Sequence, residues 1–353
     1  MAPRRPSALR ALLASDEPSV RWKARVGVLG EDPDSVAIRR LRAQVRRSER
    51  VRRLIEGHHQ APPPAYAKWG GAHWVLAALA DLGCPAGERD LRPLADEVLS
   101  AWLEPRYFRE CGSARGRSRA VPVLDGRARR CASQQGSALL SVVRLGLDDG
   151  RAAHLVERLL HWQWPDGGWN CDLRPGAATS SVHETLLPMR GLAAYAEAAD
   201  DDAARTAAAA ASEVFLTRRV AWRRHSGHPL SADAMKLHHP AYWHYDVLAG
   251  LVGLSDLGLL NDPRCADAID LLAGLRGLGE TRLLDDPRCV PALDLLQALE
   301  LPGGGWPAHH RYYTTGRATS GHDYVDWGGA SATRMNPWVT ADALTVLRAA
   351  GRG

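Results

Sequence analysis

Five stretches of this chain are apolar on nearly every face at helical spacing: WGGAHWVLAALADLG (69–83), SQQGSALLSVVRLG (133–146), SSVHETLLPMRGLAAYA (180–196), YWHYDVLAGLVGLSDLG (242–258) and NPWVTADALTVLRAAG (336–351). A helix of that kind has no face it can leave in water, so each has to be buried. Amphipathic stretches alternate with them over 88–104, 151–163, 203–220 and 263–276, each charged along one side. Ahead of these, SVAIRRLRAQVRRSERVRRLIEG (35–57) reads as one long helix, with a Ser cap, Ile38, Leu41 and Val45 on one face, and Gly57 at its end. Val and Ile are sparse and strand signals nearly absent. Buried and amphipathic helices in alternation are the pattern of helical hairpins stacked in an array or closed into a ring.

With 45% hydrophobic residues among 353, the chain can bury a sizeable core. No run of eighteen apolar residues occurs, and the first seventeen residues lack the apolar stretch of a secretion signal. The six cysteines are scattered, which predicts reduced thiols and a cytoplasmic setting. Lysine accounts for three of the 45 basic residues and arginine for the other 42, as the codon usage of a GC-rich bacterial genome produces. Residues 1–55 hold 14 basic and 6 acidic side chains, a net +8. No aromatic or Gly-rich nucleic-acid motif accompanies that charge, so it reads as a solvated face; nucleic acid is not the expected partner, and contact with a membrane surface stays open. Two segments are expected: a basic helical one over 1–58 and a helical domain over 59–353.

Two repeats are visible. LLHWQWPDGGWN followed by SSVHETLLPMRGLAAYA aligns with ALELPGGGWPAHH followed by NPWVTADALTVLRAAG: an outer helix, a Gly-Gly-Trp turn, a loop and a buried helix. LNDPRCADAIDLL (260–272) recurs as LDDPRCVPALDLL (284–296), which makes Cys265 and Cys289 copies of one position. The longer repeat, with WQWPDGGW (162–169) and LPGGGWP (301–307) as its clearest turns, resembles that of the squalene-cyclase and protein prenyltransferase superfamily. The resemblance implies an all-α fold, an α/α toroid, complete or incomplete, whose buried helices line a central cavity. Trp162, Trp164 and Trp169 then read as clamps between hairpins.

Polar groups gather at the starts of the buried helices. Trp69, His73, Gln134, Gln135, Tyr242, Trp243, Asn336 and Trp338, with Asp326 and Trp327 of YVDWGG, are the candidate substrate-binding residues. Asp246, Glu184, His183 and His244 are the candidate acids and bases. Cys171, Asp172 and His183 are zinc-ligand types, and catalytic zinc takes three protein ligands. The resemblance implies zinc held by Asp, Cys and His in the transferases, although their Asp-x-Cys spacing is replaced here by adjacent Cys171 and Asp172. The Asp-x-Asp-Asp acid of the cyclases does not occur; ADDDAAR (199–205) reads as a helix cap. Arg129, Arg130, Arg174 and Arg334 near helix starts would suit an anion. The expected function is a cyclase- or transferase-like enzyme on a small, partly apolar, anionic substrate of isoprenoid type, metal-assisted. A binding module that kept the ring without the chemistry is the alternative.

Overall fold

The computed structural model describes residues 5–226, 228–258, 287–315 and 321–352. Cys265, the helix expected over 263–276 and most of the short repeat lie outside these residues. The described chain is mostly helical, as the apolar spacing predicts. Its helices are α1 (Arg5–Leu13), α2 (Pro18–Lys23), α3 (Val36–Arg46), α4 (Glu49–Gln60), α5 (Ala72–Asp81), α6 (Arg92–Trp102), α7 (Ala132–Arg144), α8 (Ala152–Trp162), α9 (Val182–Ala199), α10 (Asp202–Leu216), α11 (Val247–Asp256), α12 (Val290–Ala298) and α13 (Pro337–Ala349). Among the described residues no helix is long and apolar enough to cross a membrane. The chain divides into two compact units: Met1–Glu88 with Ala221–Val252 and Val290–Gly353, and Arg89–Val220 with Gly253–Cys289.

Three local expectations are corrected. The helix over 35–57 is two helices, because Ser48 turns extended (φ −67, ψ 152) and starts α4 by accepting from the Val51 amide. The helix expected from 242 starts at Val247, since Tyr242 has φ +47 and Asp246 receives the Ala249 amide at 2.8 Å. Short strands β1 (Glu110–Cys111), β2 (Val121–Leu124) and β3 (Arg127–Ala128) form a small sheet although strand signals are nearly absent from the sequence. Only two to four residues long, they are too brief for alternation to show.

In the first unit the N-terminal arginines are matched locally: Arg25 with Glu31, Arg50 with Glu17, Arg46 with Glu88, and Arg52 and Arg53 with Glu49. That is the solvated face the charge pattern suggests. Beneath it, buried Lys23 of α2 bonds Asp81 of α5 at 2.9 Å and Asp342 of α13 at 3.0 Å. Burial alone would lower its pKa, yet the two carboxylates outweigh that and raise it.

The long repeat is duplicated hydrogen bond for hydrogen bond. Trp169 Nε1 donates to the Leu159 carbonyl of α8, and Trp306 Nε1 to the Leu296 carbonyl of α12, each ten residues back. The Trp169 amide donates to Thr185 Oγ1 of α9, and the Trp306 amide to Thr340 Oγ1 of α13. The turn itself closes through Trp164 N to Gly168 O in one copy and Leu301 N to Gly305 O in the other, both 2.8 Å. Asp201, from the acidic run, caps α10 through the Ala204 amide.

Gly167 in the first turn and Gly304 in the second have φ +92 and +91, a region open to glycine. A Cβ at Gly167 would also stand 2.2 Å from the Ala210 carbonyl oxygen, whereas one at Gly303 meets nothing within 4 Å. Gly167→Ala is therefore expected to destabilise by at least ~2 kcal/mol in urea unfolding, and Gly303→Ala to stay within ~0.5 kcal/mol of the parent. Equal midpoints for the two variants would remove this account of the turn.

Candidate functional site

The second unit assembles a thiol and carboxylate cluster. Cys131 is the residue before α7, with φ −73 and ψ 73, outside the helix it starts. Cys171 follows Trp169 by two residues, on a run that Asn170 pairs against Arg129. Glu184 lies in the first turn of α9. The helices α7 and α9 can approach closely because a Cβ at Gly136 would stand 2.2 Å from Pro188 N, and one at Gly191 would stand 2.6 Å from the Gly136 carbonyl. The outcome is that Cys131 Sγ, Cys171 Sγ and a Glu184 carboxylate oxygen all lie within 4.8 Å of one another.

Glu184 is held from one side and open to the thiols on the other. Its Oε2 accepts from Ser133 N at 3.1 Å and Ser133 Oγ at 2.7 Å, at the N-terminus of α7. Its Oε1 accepts from Cys171 Sγ at 3.3 Å. Hydrogen bonding between the two thiols holds Cys131 below the usual thiol pKa and pushes Cys171 above it, so Cys131 gives up its proton more readily than Cys171. One turn further along α7, Gln135 is fully buried with neither amide atom hydrogen-bonded among the described residues.

The sequence drew a different metal set. Cys171 belongs to the cluster, but Asp172 turns to Arg174, whose side chain approaches it to 2.5 Å, and the hydrogen bond from that guanidinium holds its carboxyl down at about 2. His183 is exposed at the helix start while its neighbour Glu184 points to the thiols. Cys131 enters in their place. Three of the four arginines expected at an anion site are otherwise engaged: Arg129 donates to the Ala177 and Leu124 carbonyls, Arg130 to Gln134, and Arg174 to Asp172. Gln134 is thus a partner of Arg130.

The first unit gathers rings instead. Trp69 stacks on Tyr242 at 3.7 Å, His73 packs edge-on to Trp74 and Tyr66, and His244 lies between Trp243 (4.2 Å) and Tyr312 (3.5 Å). Lys68 stands over both Trp69 and Trp243. Trp338 stacks on His239, with Trp327 against both. Asn336 caps α13 through the Trp338 and Val339 amides and donates to the Trp327 carbonyl. Asp326 accepts from Tyr313, which holds its carboxyl below the usual range. Asp246 binds the fully buried His238 ring at 2.7 Å while it caps α11.

Among the described residues, burial raises the pKa of Asp323, which sequence reasoning passed over; it accepts from Tyr242 Oη at 2.6 Å and Trp327 Nε1 at 2.9 Å. His238, His239 and Tyr312 were also missed. KLHHPAYWHYD (236–246), with three histidines and two tyrosines in eleven residues, was the available signal for the first two.

Comparisons with known proteins add little. No family model and no curated protein matches the chain. A solved structure of the unsaturated glucuronyl hydrolase responsible for glycosaminoglycan degradation, from Bacillus sp. GL1, is similar over 94% of this chain and 84% of that one, with TM-score 0.47 and 12% identity. A likeness of that size carries no inference about chemistry. It lends no support to an isoprenoid substrate.

Burial pushes His73 and His239 down to about 3, while the charge of Asp246 outweighs burial at His238 and raises it. The signs are opposite. Between pH 6.5 and about 3 the unfolded chain takes up protons that folded His73 and His239 refuse, so each removes up to ~1.4 kcal/mol of stability per pH unit as acid is added. The contribution of His238 is present below 6.5 and lost as pH rises through its elevated value. His239→Phe keeps a ring against Trp338 without the titration, so the fall in urea stability from pH 7 to pH 4 is expected to shrink. An unchanged fall would show that His239 is not responsible.

Proposed function

We propose that the chain is an α/α-toroid enzyme whose chemistry sits at a zinc ion held by Cys131, Cys171 and Glu184, with a small substrate reaching the remaining coordination position. The observation that supports this is the approach of two sulfurs and a carboxylate oxygen within 4.8 Å. Three groups that can each carry negative charge repel one another at that range, and a divalent cation relieves the repulsion while displacing the thiol protons. Thiolate and carboxylate suit zinc, and three protein ligands are the number found at catalytic zinc.

The second copy of the repeat strengthens the case. Counted from the same Trp and Thr anchors, Ala308 and Val339 stand where the first copy has Cys171 and Glu184. The turn closes equally well with those apolar residues, so the fold does not require the thiol or the acid.

When bound, zinc would supply Lewis acidity and a lowered pKa for a coordinated water or substrate group. The chain's own residues do the rest. Ser133 fixes Glu184 through Oε2 and leaves Oε1 to the cluster. Gln135, with an unsatisfied donor and acceptor deep in α7, can orient a polar group that carries both. A binding module without chemistry would have no use for this set.

Elemental analysis of the purified, untagged protein is expected to find about one zinc per chain. Cys131→Ala, Cys171→Ala and Glu184→Gln should each lose most of it while keeping helical circular dichroism, and Asp172→Asn should retain it. A metal-free parent, or a Cys131→Ala variant that binds zinc as the parent does, would overturn the proposal and leave the binding module.

A further inference from the structure

We infer that Cys131 and Cys171 are a redox-active pair that closes into a reversible disulfide; the release of metal on closure rests on the zinc reading above, whereas the bond itself does not. The two sulfurs lie within 4.8 Å across forty residues of sequence, and both cysteines are half-buried, within reach of a small reagent. The remaining described thiols are placed differently. Cys84 and Cys289 are buried, and Cys111 on β1 donates to the Ser113 carbonyl.

Closure to a bond of about 2.05 Å has to be absorbed by side-chain rotation and small backbone shifts. Both cysteines sit where that is available: Cys131 precedes its helix, and Cys171 is in the loop between Trp169 and Ser181. Neither is locked inside a helical turn.

The oxidant is a low-molecular-weight disulfide. The Cys131 sulfur attacks one of its sulfurs, the external S–S bond breaks, a mixed disulfide forms, and the departing sulfur takes up the Cys131 proton and leaves as one thiol. Cys171 then gives its proton to the Glu184 carboxylate, whose Oε1 is 3.3 Å away, and attacks the Cys131 sulfur, expelling the second sulfur as a thiolate that takes that proton from Glu184 and leaves as a thiol. The protein dithiol is oxidised by two electrons and the reagent is reduced to two thiols. With both sulfurs in the bond, the cluster retains Glu184 alone of its three ligands, and a zinc ion leaves.

The test uses the full chain titrated with glutathione disulfide, trapped by alkylation and mapped by mass spectrometry, with released zinc followed by a chromogenic chelator. The expected product is one internal disulfide joining Cys131 to Cys171. It should be reversed by dithiothreitol, absent from Cys131→Ser and Cys171→Ser, and unaffected in Cys111→Ser. Zinc should appear over the same range of oxidant. A bond that forms in a chain containing no zinc would leave this inference standing and sink the metal reading. Zinc retained with both thiols still free, or only mixed disulfides with glutathione, would overturn the pair.

Discussion

An indole N–H reaching a helix carbonyl ten residues back is the interaction on which the second unit depends. The C-terminal carbonyls of α8 have no partner within their own helix, and Trp169 satisfies that of Leu159 while its ring is almost wholly buried. The same tryptophan is tied through its amide to Thr185 of α9. One residue thus fixes an outer helix, a turn and a buried helix together, and Gly167 and Gly168 let the backbone pass between them. Cys171 lies two residues after this anchor and Glu184 one residue before its partner. Their opposition is a consequence of the lock rather than an independent achievement.

What could be read from the sequence follows from range. Helix class and the hairpin repeat were legible because their signals are local: a 3.6-residue period, Gly-Gly-Trp, a Ser or Asp cap. The thiol cluster was not, since forty residues separate Cys131 from Cys171 and nothing in the spacing says they meet. Adjacency misled at Asp172, where Arg174 two residues on is a nearer charge than any ligand set. Helix phase decided between His183 and Glu184: neighbours on a helix differ by about 100° of rotation, so one faces out when the other faces α7. Before the structure, either could have been the inward one.

In the first unit, the candidate residues are drawn into packing and capping to a degree their chemistry conceals. Asp246 accepts from a helix amide and a histidine, Asn336 from two amides, and Trp69 lies flat on Tyr242. Each is a polar or aromatic group near a helix start, and each has a partner that fold formation alone would select. Their concentration at helix N-termini needs no substrate to explain it, because helix starts are where unpaired amides demand acceptors.

The cluster of the second unit resists that deflation for a specific reason. Ser133 and the start of α7 would be served by any acceptor, so a cap accounts for Glu184, but no amide or carbonyl of the turn requires Cys131 or Cys171 beside it. Two sulfurs and a carboxylate stand where packing alone would serve, and the parallel hairpin closes with Ala308 and Val339 at the positions of Cys171 and Glu184. Side chains that burden the folded state where an apolar solution exists on the same scaffold are retained for what they bind or do. The fully buried Gln135, unsatisfied one turn deeper on the same face of α7, extends the burden in the same direction. Taken with the duplicated turn, this is what supports the proposed site in the hairpin that carries the thiols, with its twin as the structural reference.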